Sequence, residues 1–218
     1  MNSIDIIDRI WTSSRFFGNS LANILKISDS YPLEATSMLF TILESIARSS
    51  IDNYEAKTID VYNQIYKDGF LSKEELDFLN DNKFSIRIIR NKLLHKNISK
   101  YNFVVTENNK EILYPFSEES TWKLYIHTYS KPILSLCYNL LCSDLIVFSR
   151  LNIFDDFTSN FQDIKTLTPK EIMLLKGYKT NDIETIFKNY TSDSEKYIVA
   201  ENASDLNILC NIFKNIPK

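Results

Sequence analysis

Glycine and proline are scarce in this chain of 218 residues, which contains three glycines and five prolines. Tight turns depend on these two residue types, and proteins built from many short strands need many such turns. The glycines stand at Gly18, Gly69 and Gly177, so neither a glycine-rich phosphate-binding loop nor a dinucleotide-binding fingerprint can be assembled. The composition therefore favours a mainly α protein and argues against nucleotide hydrolysis and dinucleotide chemistry.

Cysteine and histidine are rarer still, with three and two copies. Cys137, Cys142 and Cys210 form no Cys-x-x-Cys pair, and each lies in an apolar stretch. This pattern is typical of buried free thiols in a reducing compartment, so we expect no metal ion and no cofactor.

Long apolar runs are also missing. The N-terminal segment contains acidic residues and no signal-peptide core. The most apolar stretch, Ile133–Phe148, is interrupted by polar residues and fits a buried helix better than a membrane span. We therefore expect a cytoplasmic protein that does not contact a membrane.

The formal net charge of −3 argues against a protein that coats nucleic acid nonspecifically. One segment departs from this balance, because residues 82–106 contain no acid and have a charge of +6, which leaves −9 for the remainder. Any contact with RNA should therefore be local. The six cations of this segment are Lys83, Arg87, Arg90, Lys92, Lys96 and Lys100.

Periodic apolar residues predict an antiparallel helical hairpin over Ser3–Ile27 and about Leu33–Ser50. A shorter helix is expected from about Thr58, and Ser72–Glu75 has the sequence of a capping box that opens the next helical segment. Helical periodicity returns over about Glu118–Arg150 and should complete a bundle.

Two short strands are expected between the bundle helices. Tyr101–Thr106 and Glu111–Tyr114 flank an asparagine-containing turn, which predicts a β-hairpin. Further on, the sequence predicts short helices over Asp182–Asn189 and Ser204–Lys214, with Lys196–Ala200 extended between them.

One set of residues has side chains suited to catalysis. It is the run Arg90-Asn91-Lys92-Leu93-Leu94-His95, which lies within a predicted helix. Arginine is a permanent cation suited to phosphate oxygens, whereas histidine can accept and donate protons near neutral pH. At 100° per residue, Asn91 and His95 lie opposite the predicted buried face. That buried face is formed by Ile86, Ile89 and Leu93.

This arrangement resembles the HEPN family, whose members are helical bundles with an arginine, a polar residue and, a few residues later, a histidine on one helix. The matching residues are Arg90, Asn91 and His95, and the order of elements is similar over about residues 1–150. The resemblance implies a mainly α fold: a HEPN-like bundle over residues 1–155, with a small β-hairpin at about 101–115, and a short, mostly helical C-terminal extension over 156–218.

Many HEPN proteins are metal-independent ribonucleases, and this chemistry needs little beyond the motif. His95 would deprotonate a ribose 2′-OH of single-stranded RNA, and Arg90, helped by Arg87, would stabilise the charge that develops on the phosphorus. Asn91 would orient His95 or bind a phosphate oxygen, and Glu44 would hold Arg90. The lysines expected to bind RNA are Lys83, Lys92, Lys96 and Lys100.

Arg90 and His95 are 140° apart on an ideal helix, so a second copy of the chain would help to complete the site. Phe84 and Ile88 are predicted on the outer face and would form the contact of a two-fold homodimer. We expect a toxin or phage-defence effector, for which an antitoxin or regulatory protein is a possible partner.

Three alternatives remain beside this interpretation. The same outward face could belong to a noncatalytic HEPN-like module that binds a protein or RNA, or it could be a plain solvated helix face. A metal-dependent nuclease using Asp52, Glu55 and Lys57 is poorly supported, because no strand pattern surrounds these residues. His127 lies among aromatic residues and is given no catalytic role.

Overall fold

The computed structural model describes residues 2–94, 97–143, 149–152, 154, 157, 159 and 161–207. The prediction of a mainly α protein is confirmed in this part of the chain. Its helices are α1 Ser3–Ser13, α2 Arg15–Ile27, α3 Pro32–Ser50, α4 Thr58–Lys67, α5 Lys73–Asn80, α6 Ile86–Leu93, α7 Glu119–Leu141, α8 Pro169–Leu175, α9 Thr180–Phe187 and α10 Asp193–Asn202. Its strands are β1 Tyr101–Glu107, β2 Lys110–Pro115 and β3 Asp163–Thr166.

The chain divides into two compact units. The first unit comprises Met1–Leu94 and Glu118–Gln162, and the second comprises His95–Ser117 and Asp163–Lys218. The units therefore divide the chain differently from the predicted boundary between residues 155 and 156, because the hairpin groups with the C-terminal part.

Helices α3 and α7 form the centre of the first unit, and α1 packs against α7. The predicted helix Ser3–Ile27 is in fact two helices, because Ser14 is extended and its hydroxyl accepts a hydrogen bond from the amide of Phe17. Helix α1 begins at Ser3 and is capped by Asn2. An extended residue whose side chain caps the following helix ends one helix and begins the next.

An aromatic cluster on α7 fills the space beside α5 and α6. The rings of Tyr125 and Tyr129 are stacked, with their centroids 4.2 Å apart. Phe84 lies 6.4 Å from the ring of Tyr129 and is half-buried, as is Ile88. The prediction that Phe84 lies on a free outer face is therefore wrong, because its ring packs beside Tyr129, and Ile88 is only partly exposed.

Helix α5 begins with the predicted capping box, which the structure confirms. The Ser72 hydroxyl accepts from the amide of Glu75, and the Glu75 carboxylate accepts from the amide of Ser72 at 2.7 Å. The side chain of Glu75 is only 4% exposed and forms an ion pair with Arg150. Asn139 also donates to this carboxylate, at 3.3 Å. Helix α7 ends at Leu141 rather than near Arg150, and residues 144–148 lie outside the described residues.

The second unit contains a three-stranded antiparallel sheet in the order β2-β1-β3. The predicted hairpin is confirmed, and its turn contains Asn108 and Asn109, both with positive φ, which asparagine tolerates well. Strand β1 also pairs with β3, and Phe103 faces Ile164 across this ladder. The strand β3 was not predicted, because its four residues Asp163–Thr166 show no extended apolar alternation.

Helices α8 to α10 enclose a small core of Met173, Ile183 and Ala200. The prediction that Lys196–Ala200 is extended is wrong, because these residues belong to α10. Ser192 and Glu195 form a capping box that starts this helix, a signal that the sequence already contained. The predicted helix Ser204–Lys214 lies largely outside the described residues.

The ion pair between Glu75 and Arg150 yields a stability prediction. Arg150→Ala leaves a buried carboxylate without its cation, so the free energy of unfolding should fall by about 3 kcal/mol. Urea denaturation followed by circular dichroism measures this change. Lys73→Ala removes a cation from an exposed ion pair with Asp77 on the same helix and should leave the midpoint unchanged. Equal effects of the two variants would contradict the assigned role of Glu75.

Candidate functional site

Helix α6 presents two faces that its sequence explains. Ile86 and Ile89 are three residues apart and both are buried. The hydroxyl of Ser85 caps the helix by accepting from the amide of Ile88. In this helix Arg87 is three residues before Arg90 and four residues before Asn91, so the three side chains lie on one face.

This face of α6 lines an open cleft of about 350 Å³ in the first unit. The cleft is bounded by α3, by α6 and by the beginning of α4. Its lining residues are Glu44, Arg48, Lys57, Thr58, Ile59, Arg87, Arg90 and Asn91.

Glu44 is the acidic residue of the cleft, and it is only 15% exposed. One carboxylate oxygen, Oε1, accepts from the Thr58 hydroxyl at 2.6 Å and from Nη2 of Arg48 at 2.7 Å. The other oxygen, Oε2, forms an ion pair with Nη1 of Arg90. One carboxylate thus joins side chains from α3, α4 and α6.

Arg48 connects this carboxylate to the loop between α3 and α4. Its Nη1 donates to the carbonyl oxygens of Tyr54, at 2.9 Å, and of Ala56. Because these donors are all engaged by protein groups, Arg48 positions the loop and Lys57 rather than serving as a free cation. Its guanidinium still contributes positive charge to the cleft.

Arg90 is partly withdrawn from water, with 28% of its side chain exposed. Burial lowers the pKa of its guanidinium, but arginine remains a cation at neutral pH. Its Nη2 donates to Oδ1 of Asn91 at 3.2 Å, and its buried Nε has no hydrogen-bond partner within the described part of the chain. Glu44 and Asn91 therefore fix the orientation of a guanidinium that keeps unused donor capacity.

Arg87 is oriented differently, by neutral acceptors alone. Its Nε donates to Oδ1 of Asn80 at 2.6 Å, and its Nη2 donates to Oδ1 of Asn82 at 3.2 Å. Asn80 is itself held by Oδ1 of Asn63 on α4, at 3.3 Å. No carboxylate of the described residues forms an ion pair with Arg87, so its charge is not neutralised locally.

The cleft has a strongly positive charge balance. Four cations and a single acid line it, which gives a formal charge of +3. Guanidinium groups with this geometry bind phosphate and carboxylate oxygens. The arrangement is suited to binding a multiply charged oxyanion.

The structure brings together several of the predicted site residues and separates others from the cleft. Glu44, Arg87, Arg90 and Asn91 line it, and Glu44 contacts Arg90 as the sequence interpretation expected. The positions of His95 and Lys96 lie outside the described residues.

The remaining lysines predicted to bind RNA are not part of the cleft lining. Lys83 is exposed and Lys92 is half-buried in the first unit. Lys100 belongs to the second unit, where its ammonium lies 5.0 Å from the centroid of the Tyr101 ring.

Sequence reasoning did not assign Arg48, Lys57 or Thr58 to this site. Arg48 had a signal, because it lies four residues after Glu44 on a predicted helix, a spacing typical of ion pairs. Lys57 and Thr58 had none, because they reach the cleft only through the path of the loop between α3 and α4.

The described residues offer little support for another catalytic histidine, a metal site or a membrane-spanning helix. His127 is exposed and lies 3.1 Å from Asp29, away from the cleft. Within the same residues, no three histidine, cysteine, aspartate or glutamate side chains are placed to hold a metal ion together. No helix there has both the length and the apolar character that crossing a membrane requires.

Comparison with known proteins adds no assignment. No protein-family model, no curated protein and no solved structure matches this chain.

The contacts of Glu44 lead to a second stability prediction. Glu44→Gln removes the charge that holds Arg48 and Arg90 side by side, so the free energy of unfolding should fall by about 1–3 kcal/mol. Urea denaturation at neutral pH measures the change. Glu34→Gln alters an exposed carboxylate on the same helix and serves as the control. An unchanged free energy of unfolding in Glu44→Gln, or an equal loss in Glu34→Gln, would contradict this role of Glu44.

Proposed function

We propose that this chain is a metal-independent endoribonuclease of the HEPN type that cleaves single-stranded RNA by transesterification. Arg90 and His95 are its catalytic residues, Glu44 and Asn91 orient Arg90, and Arg87 adds positive charge to the same cleft. In the cell it acts as a toxin or a phage-defence effector.

The observation that supports this proposal most strongly is the setting of Arg90. The arginine of the motif lies in a cleft with a formal charge of +3, and Glu44 and Asn91 hold its guanidinium in one orientation. A fixed guanidinium stabilises a developing charge better than a mobile one, because little reorganisation is needed during the reaction. A plain solvated helix face would not need a carboxylate from another helix to orient its arginine.

The reaction needs two proton transfers and one displacement. His95 removes the proton of a ribose 2′-OH, and the oxygen attacks the adjacent phosphorus. The bond to the 5′-oxygen breaks, and the partner subunit's His95 donates a proton to that oxygen. Arg90 stabilises the negative charge of the phosphorane. The products are a 2′,3′-cyclic phosphate and a 5′-hydroxyl.

We expect the purified protein to cleave labelled single-stranded RNA in the presence of EDTA and to spare DNA, which lacks the 2′-OH. Arg90→Ala should lower the rate by about 100- to 1,000-fold, as the loss of one charge-stabilising donor does elsewhere. His95→Ala should abolish cleavage. Gel analysis of the products and of their end groups measures both effects.

His127→Ala is the matched control, because it removes the other histidine of the chain from an exposed position outside the cleft. It should leave the rate unchanged. Cleavage that persists in His95→Ala, or products with 3′-hydroxyl ends, would contradict the mechanism. RNA binding without cleavage by the wild-type protein would favour the noncatalytic module.

We propose further that the active form is a homodimer in which two copies of α6 meet. Since Phe84 and Ile88 are half-buried, we assign this contact to Leu94, which is 79% exposed and directly precedes His95 in the sequence. An apolar side chain that is exposed in the monomer gains free energy when a partner surface removes it from water.

Leu94→Asp should therefore convert the dimer into a monomer and lower RNA cleavage, since it places a desolvated charge in the contact. Sedimentation equilibrium at tens of micromolar measures the mass. The control is Leu175→Asp, an exposed leucine on α8 of the second unit, which should leave the dimer intact. A monomeric wild-type protein that cleaves RNA at the full rate would rule out the shared site.

A further inference from the structure

We propose that Arg87 and Lys57 form a second phosphate subsite in the cleft, which binds a backbone phosphate of the RNA next to the one that Arg90 contacts. This proposal rests on the proposed function, because it assigns a further contact of the same substrate. Asn80 and Asn82 are its positioning residues.

The orientation of Arg87 is the first argument. Two of its nitrogens donate to uncharged acceptors, Oδ1 of Asn80 at 2.6 Å and Oδ1 of Asn82 at 3.2 Å. These contacts fix the guanidinium without neutralising it. An arginine that served only to stabilise the fold would gain more from a carboxylate partner, such as the one that Glu44 provides for Arg48. Preorganised charge without a protein counterion is what an anion-binding side chain requires.

The spacing of the two arginines is the second argument. Arg87 and Arg90 are three residues apart on α6, so their Cβ atoms are about 5–6 Å apart on the same face. Glu44 and Asn91 engage Arg90, whereas Asn80 and Asn82 engage Arg87. Because each guanidinium has its own set of positioning groups, the two can contact different phosphates of one strand.

The charge of the cleft is the third argument. A single phosphodiester has one negative charge, so its binding would leave the cleft with a formal charge of +2. A second phosphate reduces this excess further. Lys57 provides the additional cation, because it is exposed and forms no ion pair with a carboxylate of the described residues.

Lys57 also has a defined place in the cleft. It immediately precedes α4, and the carbonyl oxygen of the neighbouring Ala56 accepts from Arg48. The long lysine side chain can follow a phosphate over several ångströms, whereas the guanidinium of Arg87 cannot. The subsite therefore combines one fixed cation with one adaptable cation.

The test uses a probe that cannot be cleaved, a fluorescein-labelled 2′-O-methyl oligouridine, whose blocked 2′-oxygen cannot attack phosphorus. Its dissociation constant is measured by anisotropy over a series of salt concentrations. The logarithm of the association constant falls linearly with the logarithm of the salt concentration. Each lost contact to a single-stranded phosphate should make this slope shallower by about 0.7. We expect this reduction for Arg87→Gln and for Lys57→Gln.

Two further variants refine the result. Asn80→Asp places a negative charge against Nε of Arg87, so it should weaken binding as Arg87→Gln does although the arginine is still present. Asn23→Asp adds the same charge at an exposed position on α2 and should have no effect. Lys67→Gln removes an exposed lysine at the other end of α4 and is the control for Lys57→Gln.

The outcomes separate this inference from the proposed function. Slopes that stay at the wild-type value in Arg87→Gln and Lys57→Gln would overturn the subsite, even if RNA were cleaved with dependence on His95. The expected slopes together with uncleaved RNA would support the subsite and overturn the ribonuclease. A wild-type protein that does not bind the probe, or binds it without salt dependence, would overturn the subsite as well.

Discussion

The carboxylate of Glu44 is the point at which α3, α4 and α6 are held together. It accepts from Arg48 on its own helix, from Thr58 at the beginning of α4, and from Arg90 on α6. Partly buried charges are costly unless they are paired and hydrogen-bonded, so these groups stabilise the cleft only as a set. The position of the catalytic arginine in our proposal therefore depends on the packing of three helices.

The same cleft contains two ways of holding an arginine. Arg48 and Arg90 share one carboxylate, whereas Arg87 is held by the amide oxygens of Asn80 and Asn82. The carboxylate fixes the orientation of its arginines and also reduces the positive charge of the cleft. The amide oxygens fix the orientation of Arg87 without reducing that charge. Their combination leaves a cleft that is both ordered and cationic, which suits the binding of phosphate groups near a reacting centre.

Several features could be predicted from the sequence because they are encoded by neighbouring residues. The capping box at Ser72 and the hairpin around Asn108 were both identified correctly. Predictions that concerned a helix surface were less successful. Phe84 was expected to face outward, but α7 places Tyr129 against it.

The sequence by itself determined the helical class, the capping box at Ser72, the hairpin turn and the concentration of positive charge around α6. Helical periodicity and capping involve residues three or four positions apart, so they can be recognised in the sequence without knowledge of the fold. Only the tertiary structure decided that Lys57 and Thr58 line the same cleft as Arg90, and that β3 joins the hairpin. These contacts join residues far apart in the chain, and they follow from how buried faces pack rather than from any local pattern.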